Sequence, residues 1–378
     1  MIAVVNPLLS GIAGLGVSNV SMIVIGCILI WLAVRKQYEP MLLLPIGFGA
    51  ILANIPESAA IAPTGFLTTL YNFGIEYELF PILIFIGVGA MIDFTPLLTQ
   101  PVTIFFGGAA QLGIFVAMLL ALCANYLIPD LFSLKEAAAI GIIGAADGPT
   151  SIYVGRLFAP KYIAPITVAA YSYMALVPII QPPVIKLLTS KQERRIRMPM
   201  QNKTTISRRV RILFPIAVTI IAGVISPAST ALIGSLMFGN LIRECGVLER
   251  LSNSAQNELS NLVTLLLGIT IGATMKADTF LTIQTAFIMG IGLLAFVFDT
   301  AGGVLAAKFA NLFLKKKVNP MIGACGISAF PMSSRIIQKM ALEEDPYNIL
   351  IMQAVGANVA GQVGSVIAGA MLLHLLGG

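Results

Sequence analysis

Residues 141–154, GIIGAADGPTSIYV, set one carboxylate, Asp147, among glycines and a proline inside a stretch that is otherwise apolar enough for a lipid bilayer. At bilayer depth an ionised side chain is costly unless it faces an interior, pairs, or holds a cation, so an intramembrane Asp marks a functional site by default. The alternative is that Asp147 only caps a helix break, accepting from free backbone N–H groups. Gly148 and Pro149 directly after it predict a helix stop with unpaired backbone groups around the acid. A second interrupted stretch, NPMIGACGISAFPMSSR (319–335), offers the Asn319 amide and the Ser328 hydroxyl, with carbonyls freed near Gly148 and Gly323. Hard monovalent cations prefer oxygen ligands, and with one negative charge among them the set suits Na+ or a proton better than a transition metal. Thr150 and Ser151 add two hydroxyls, each of which also fits ordinary packing between membrane helices.

Further polar residues stand in apolar surroundings. Tyr171 and Tyr173, in AAYSYMALVPIIQPP, follow the first break; they read either as an aromatic belt or as a mid-helix group that ligates an ion or relays a proton. Asn358, Gln362 and Ser365 lie among small residues in GANVAGQVGSVIAG, a composition that permits close helix packing. Arg335, beyond the second break, reads as a cytoplasmic anchor or as a receiver for a carboxylate. Asp299, in FVFDTAGG, is a second acid at apparent bilayer depth with no assigned partner, whereas Asp93 and Asp278 lie nearer segment ends.

The elements that must position these groups are membrane spans. Of 378 residues, 57% are hydrophobic and 11% charged, and the mean hydropathy is +0.92. Soluble domains carry about 25% charged residues, so this deficit implies lipid exposure and a polytopic, all-α membrane protein. Strong apolar segments run at 19–34, 40–54, 79–95, 102–127, 136–155 and 162–185, then at 212–227, 230–243, 257–275, 280–313, 319–341 and 347–376. Between the two sets, residues 186–211 hold nine Lys or Arg and one acid, Glu193. That stretch reads as a solvated cytoplasmic loop obeying the positive-inside rule, or as a dock for acidic lipid or a soluble partner. The net charge of +6 does not point to nucleic acid, because much of it sits in this loop. The four cysteines show no CxxC spacing, and His374 has no ligand-like neighbours. No cleavable signal is evident, since the first basic side chain, Arg35, follows the first strong apolar run.

The second set repeats the first. GIIGAADGPTSIY falls on GACGISAFPMSSR, aligning Gly141 with Gly323, Gly144 with Gly326 and Pro149 with Pro331. VGAMIDFTPLL likewise falls on IGATMKADTFL, and Phe48–Gly49 on Phe238–Gly239. Arg35 and Lys36 end the first span of one unit, while Arg208, Arg209 and Arg211 begin that of the other. If both clusters are cytoplasmic the units run in opposite directions, the pattern of an inverted-repeat transporter. The chain therefore divides into an N-terminal segment (1–18), a first membrane repeat (19–185), a basic cytoplasmic linker (186–211) and a second repeat (212–378), with a discontinuous or re-entrant helix in each repeat meeting near the midplane. This orientation puts Arg243, Arg250 and Lys315–Lys317 inside and the C-terminus outside.

GIIGAADGPTSIYV, AAYSYMALVPIIQPP, GNLIRECGVLERL and NPMIGACGISAFPMSSR together resemble the β subunit of the sodium-pumping, biotin-dependent decarboxylases, a family that includes oxaloacetate, methylmalonyl-CoA, glutaconyl-CoA and malonate decarboxylase complexes. The likeness runs from about residue 20 to the end. It implies a multisubunit enzyme in the bacterial cytoplasmic (inner) membrane, in which this subunit decarboxylates carboxybiotin and exports Na+ with proton uptake. It implies as partners a biotin carrier protein, a carboxyltransferase α subunit and a small membrane γ/δ subunit, and a homo-oligomer such as a trimer. An elevator-type scaffold and mobile core belong to the same resemblance. By motif, Asp147 matches the family's essential Asp, with Ala145 where the shorter motif has Gly. Tyr173 matches the functional tyrosine, and Asn319, Gly323, Ser328 and Arg335 match the polar series of the second break. The resemblance thus implies Asp147, Tyr173 and Arg335 as catalytic, Arg335 as the biotin-binding group, and Asp147, Tyr173, Asn319, Gly323 and Ser328 as Na+ ligands. The residues alone leave open a secondary Na+-coupled carboxylate transporter, or a purely structural anchor for a decarboxylase. The acyl substrate belongs to another subunit.

Overall fold

A computed structural model describes residues 11, 14–198, 206–225 and 227–377 and, among them, contains helices and no strand. Most of the segment 1–18 and residues 199–205 of the linker lie outside the described residues. Helices are the expected answer to apolar runs in lipid, where every backbone N–H and C=O must be satisfied within the segment. The principal ones are α1 (Val17–Lys36), α2 (Pro40–Asn54), α3 (Leu79–Met91), α4 (Thr103–Ala110), α5 (Leu112–Cys123), α6 (Leu134–Gly141), α7 (Gly148–Phe158) and α8 (Ile163–Leu188). They are followed by α9 (Arg208–Ile225), α10 (Thr230–Glu244), α11 (Ser260–Ala273), α12 (Ile283–Phe313), α13 (Met332–Glu344) and α14 (Ile351–Leu376). Four helical stretches, Val17–Lys36, Thr103–Tyr126, Ile283–Phe313 and Ile351–Leu376, are long and apolar enough to cross a membrane, and two bent pairs raise the number to six. Residues 55–78, which the apolar pattern leaves between spans, form short helical turns at Phe66–Leu70 and Tyr71–Glu76.

Glycines govern how the halves of the chain meet. α2 packs on α11, and α3 on α10. A Cβ at Gly49 would overlap the Ile269 carbonyl, and one at Gly272 the Ile46 carbonyl. A Cβ at Gly89 would likewise overlap the Leu236 carbonyl, and one at Gly239 the Ile86 carbonyl. Asparagines lock both seams: Asn54 Nδ2 donates to the Met275 carbonyl at 2.7 Å, and Asn240 Nδ2 to that of Ile92 at 2.8 Å. Two further asparagines make matching clasps ahead of the two breaks. Asn125 exchanges a pair of hydrogen bonds with the Phe132 backbone (2.8 and 2.9 Å), and Asn311 does the same with Val318 (2.7 and 2.7 Å).

The described part of the basic stretch is docked rather than freely solvated. Arg194 pairs with Glu344 at 2.7 Å and Arg197 with Asp345 at 2.6 Å, at the end of α13. Asn348 Nδ2 donates to the Arg194 carbonyl at 3.1 Å.

Candidate functional site

Both interrupted stretches are broken, for local reasons visible in their residues. α6 opens with a capping box, Ser133 accepting from the Glu136 N–H and Glu136 from that of Ser133. It tightens into a 3-10 turn at Ile142–Ala145 and stops at Ala146, whose φ of +54° lies in the left-handed region. For a residue with a Cβ that conformation costs roughly 1–2 kcal/mol, strain that falls one residue before the acid. Asp147 is then the N-cap of α7, with Pro149 in its first turn, so the proline starts the new helix instead of ending the old one. The second break runs from a 3-10 helix at Pro320–Gly326 through an extended Ile327 and a turn at 330–331 to α13.

Asp147 is 2% exposed. Its Oδ2 accepts from Thr150 Oγ1 at 2.7 Å, Ser365 Oγ at 2.8 Å and Gln362 Nε2 at 3.4 Å. Its Oδ1 accepts from the Thr150 N–H at 3.4 Å. The capping and functional readings of this acid therefore coexist: it caps α7 and still gathers neutral donors from α14. Ser365 Oγ also lies 2.9 Å from the Gln362 carbonyl, so one hydroxyl proton has two acceptors within reach. The breaks touch directly, the Ser328 N–H donating to the Ala145 carbonyl at 3.2 Å. Ser328 Oγ donates to the Gly361 carbonyl at 2.9 Å, and Asn358 Nδ2 to the Ile327 carbonyl at 2.6 Å. From the α4–α5 kink, Gln111 Nε2 reaches the Gly326 carbonyl at 3.2 Å. Among the described residues no group of three or more His, Cys, Asp or Glu side chains is placed to hold a metal ion.

The expected residues do not all converge. Asn319 caps the second 3-10 helix, and its Nδ2 donates to the Arg194 and Ile196 carbonyls at 2.8 and 3.0 Å, which ties it to the basic stretch. Gly323 is fully buried against Gly303 of α12, so closely that neither could carry a Cβ. Arg335 is exposed on α13 and borders a groove with Gln338, Lys339, Leu342, Glu343 and Ile351. The two tyrosines lie about 200° apart around α8, so one alone can face the first break. That one is Tyr171, whose ring packs on Gly148. The Tyr173 hydroxyl donates to the Met289 carbonyl of α12 at 2.5 Å, and its ring stands edge-on to Phe296 with centroids 5.8 Å apart. Gln362 and Ser365 carry sequence signal as polar residues in an apolar helix, but nothing local reveals that they face an acid 218 positions earlier, as Ser365 does. Gln111 gave no signal beyond its polarity.

The fold and this site define a polytopic, helical membrane protein built around a buried carboxylate at the junction of two broken elements. The chain belongs to the family described as the Na+-transporting oxaloacetate decarboxylase beta subunit, whose model matches residues 18–376. It is 48% identical to the glutaconyl-CoA decarboxylase subunit beta of Acidaminococcus fermentans over 98% of this chain and 96% of that protein. It is 44% identical to the methylmalonyl-CoA decarboxylase subunit beta of Propionigenium modestum, over 97% of each chain. With the oxaloacetate decarboxylase beta chain of Klebsiella pneumoniae the identity is 44%, again over 97% of each.

Proposed function

We propose that this chain decarboxylates carboxybiotin and couples the reaction to Na+ export with proton uptake, Na+ and H+ competing for Asp147. The observation that carries the reading is the Asp147 carboxylate, buried between the two breaks and served by neutral donors alone among the described hydrogen bonds. Burial without a fixed counter-charge favours occupancy by a cation, and neutral oxygen ligands suit Na+. When Na+ binds, the Ser365 proton turns to the Gln362 carbonyl and its oxygen faces the ion. When a proton binds, the hydroxyl is free to turn again. Na+ and H+ thus become alternative occupants of one acid. Decarboxylation breaks the bond between the ring nitrogen and the carboxyl carbon, releases CO2 and leaves the nitrogen to take up a proton. If that proton arrives by way of Asp147, the chemistry empties the acid for the next Na+.

In this reading Ser328 and Gly323 shape the second half of the ion path, and Tyr173 acts from α8 through its contact with Met289 of α12. Asn319 acts from a distance by anchoring residues 194–196, and Arg335, exposed on α13, receives the carboxylate of carboxybiotin. The biotin is carried by a partner, and the remaining partners are a carboxyltransferase α subunit and a small membrane γ/δ subunit. A homo-oligomer in the bacterial cytoplasmic membrane, such as a trimer, completes the assembly. The three relatives are all decarboxylase subunits, which favours this over a secondary carboxylate transporter.

The paired glycine seams and the twin asparagine clasps support a duplicated unit, repeat 19–185 against repeat 212–378, and the basic clusters support its inversion. An elevator motion of core against scaffold rests on that inversion. The test is reconstitution of the whole complex in liposomes, with decarboxylation and 22Na+ movement followed together. Asp147→Asn is expected to abolish both. Na+ flux without carboxybiotin turnover in the wild type would overturn the reading.

A further inference from the structure

One face of α12 touches, in order, Tyr173, the first break and the second break. The Met289 carbonyl receives the Tyr173 hydroxyl, and Gly292 lies against the Tyr173 ring. Ala295 packs under Gly144 of the first break, and Gly303 meets Gly323 of the second. Between these last two, one helical turn from each and so about 6 Å along the axis, stands Asp299. Its side chain abuts Gly113, the second residue of α5, so tightly that a Cβ at Gly113 would overlap Oδ1. Gly144, three positions before Asp147, packs on the backbone of that same glycine and of Ile114. Asp299 is 1% exposed, and neither of its oxygens accepts a hydrogen bond of ordinary geometry among the described residues. The Gly113 backbone is the main chain packed directly against it.

A bare carboxylate is untenable at bilayer depth, because the desolvation of an unpaired ion is too costly. A bound cation must accompany it. No ion pair of the described residues includes Asp299. We propose that Asp299 is a second exchangeable cation site, occupied by a monovalent cation, H+ or Na+, and coupled to Asp147 through the shared Gly113–Gly144 contact. The coupling is mechanical. Loss of the cation from Asp299 drives its carboxylate away from the α5 backbone or toward a new donor, and the turn that aims Asp147 rests on that same backbone.

This inference rests on the Na+-pump reading for its biological meaning, but not for its test. Infrared difference spectra of the purified complex, taken at alkaline pH where exposed acids are ionised, report buried protonated carboxyls directly. With Asp147→Asn as background, a carboxyl band that persists, responds to pH and disappears in the Asp147→Asn/Asp299→Asn double variant assigns H+ to Asp299. Bleaching of that band by NaCl and not by choline chloride assigns Na+ as its competitor. A carboxyl band absent from the background variant under every condition, or present but blind to both pH and Na+, overturns the proposal. Should the double variant not assemble, the pH and Na+ responses of the background variant still decide it. In liposomes, Asp299→Asn is expected to lower the Na+ moved per CO2 released. An unchanged ratio in an assembled complex counts equally against it. If wild-type decarboxylation shows no Na+ dependence, the pump reading fails while the spectra stand.

Discussion

Ser365→Ala isolates the competition at Asp147. The hydroxyl sits 2.8 Å from Oδ2 and 2.9 Å from the Gln362 carbonyl. A hydrogen bond to a charged acceptor is worth about 1.5–3 kcal/mol, and division of the proton between two acceptors argues for the lower end. About 1.5 kcal/mol corresponds to roughly tenfold in an equilibrium constant. The hydroxyl favours the ionised acid over the protonated one, and only the ionised acid binds Na+. Removing it therefore raises the Na+ concentration for half-maximal decarboxylation, by little where the free acid is already ionised and by up to roughly tenfold as pH falls and protons hold the free acid. The assay is decarboxylation rate against Na+ concentration at several pH values, in the reconstituted complex. Thr150→Val, which strips a second donor from the same oxygen, is expected to give a similar rise, and the double variant less than the product of the two, since the donors share one acceptor. At the lowest pH of the series, a change below about twofold in an assembled complex, against the tenfold expected there, would show that the acid does not gate Na+ through these hydroxyls.

Three other outcomes are expected. Gly239→Ala forces a methyl into the Ile86 carbonyl, an overpacking worth about 1–3 kcal/mol, and should lower the melting temperature in detergent; Gly290→Ala, with open space around it, should not. Tyr173→Phe forfeits the 2.5 Å bond to Met289 and should cost about 1 kcal/mol of stability, with slower turnover and a nearly unchanged Na+ requirement. The Arg194 and Arg197 guanidinium groups hold the Glu344 and Asp345 carboxyls below their ordinary values of 4.5 and 3.8. Carboxyls depressed in this way stabilise the docked state above those values and cease to do so as pH falls through the lowered ones. Residues 190–198 should thus stay protected from hydrogen exchange at neutral pH and lose protection only below about pH 4.

Both breaks were legible in the sequence, because Gly, Pro and Asp interrupt runs that are otherwise uniformly apolar, and three collinear matches are the ground on which a duplication is proposed. The assembly of the site was not. Asn319 looks like a ligand by type, but a polar residue at a helix start is drawn into capping, and its remaining donors went to the linker. Tyr171 and Tyr173 look interchangeable until helical phase assigns one to Gly148 and the other to α12. Gln362 and Ser365 show as polar residues, yet their partner is fixed by tertiary packing that no local pattern encodes. Residues 55–78 carry too weak an apolar period to predict the short turns that form there.

The seams between α2 and α11 and between α3 and α10 meet main chain to main chain at their facing glycines, with the Asn54 and Asn240 amides fixed to the partner segment at 2.7 and 2.8 Å. A contact made through side chains can absorb displacement by rotating a torsion, but the glycine contacts have no torsion to rotate. Each pair therefore shifts as a unit or not at all. Whatever slack the protein uses in its working cycle must be stored where packing runs through flexible side chains, and the four glycine-seamed helices set the ruler against which such movement would be measured.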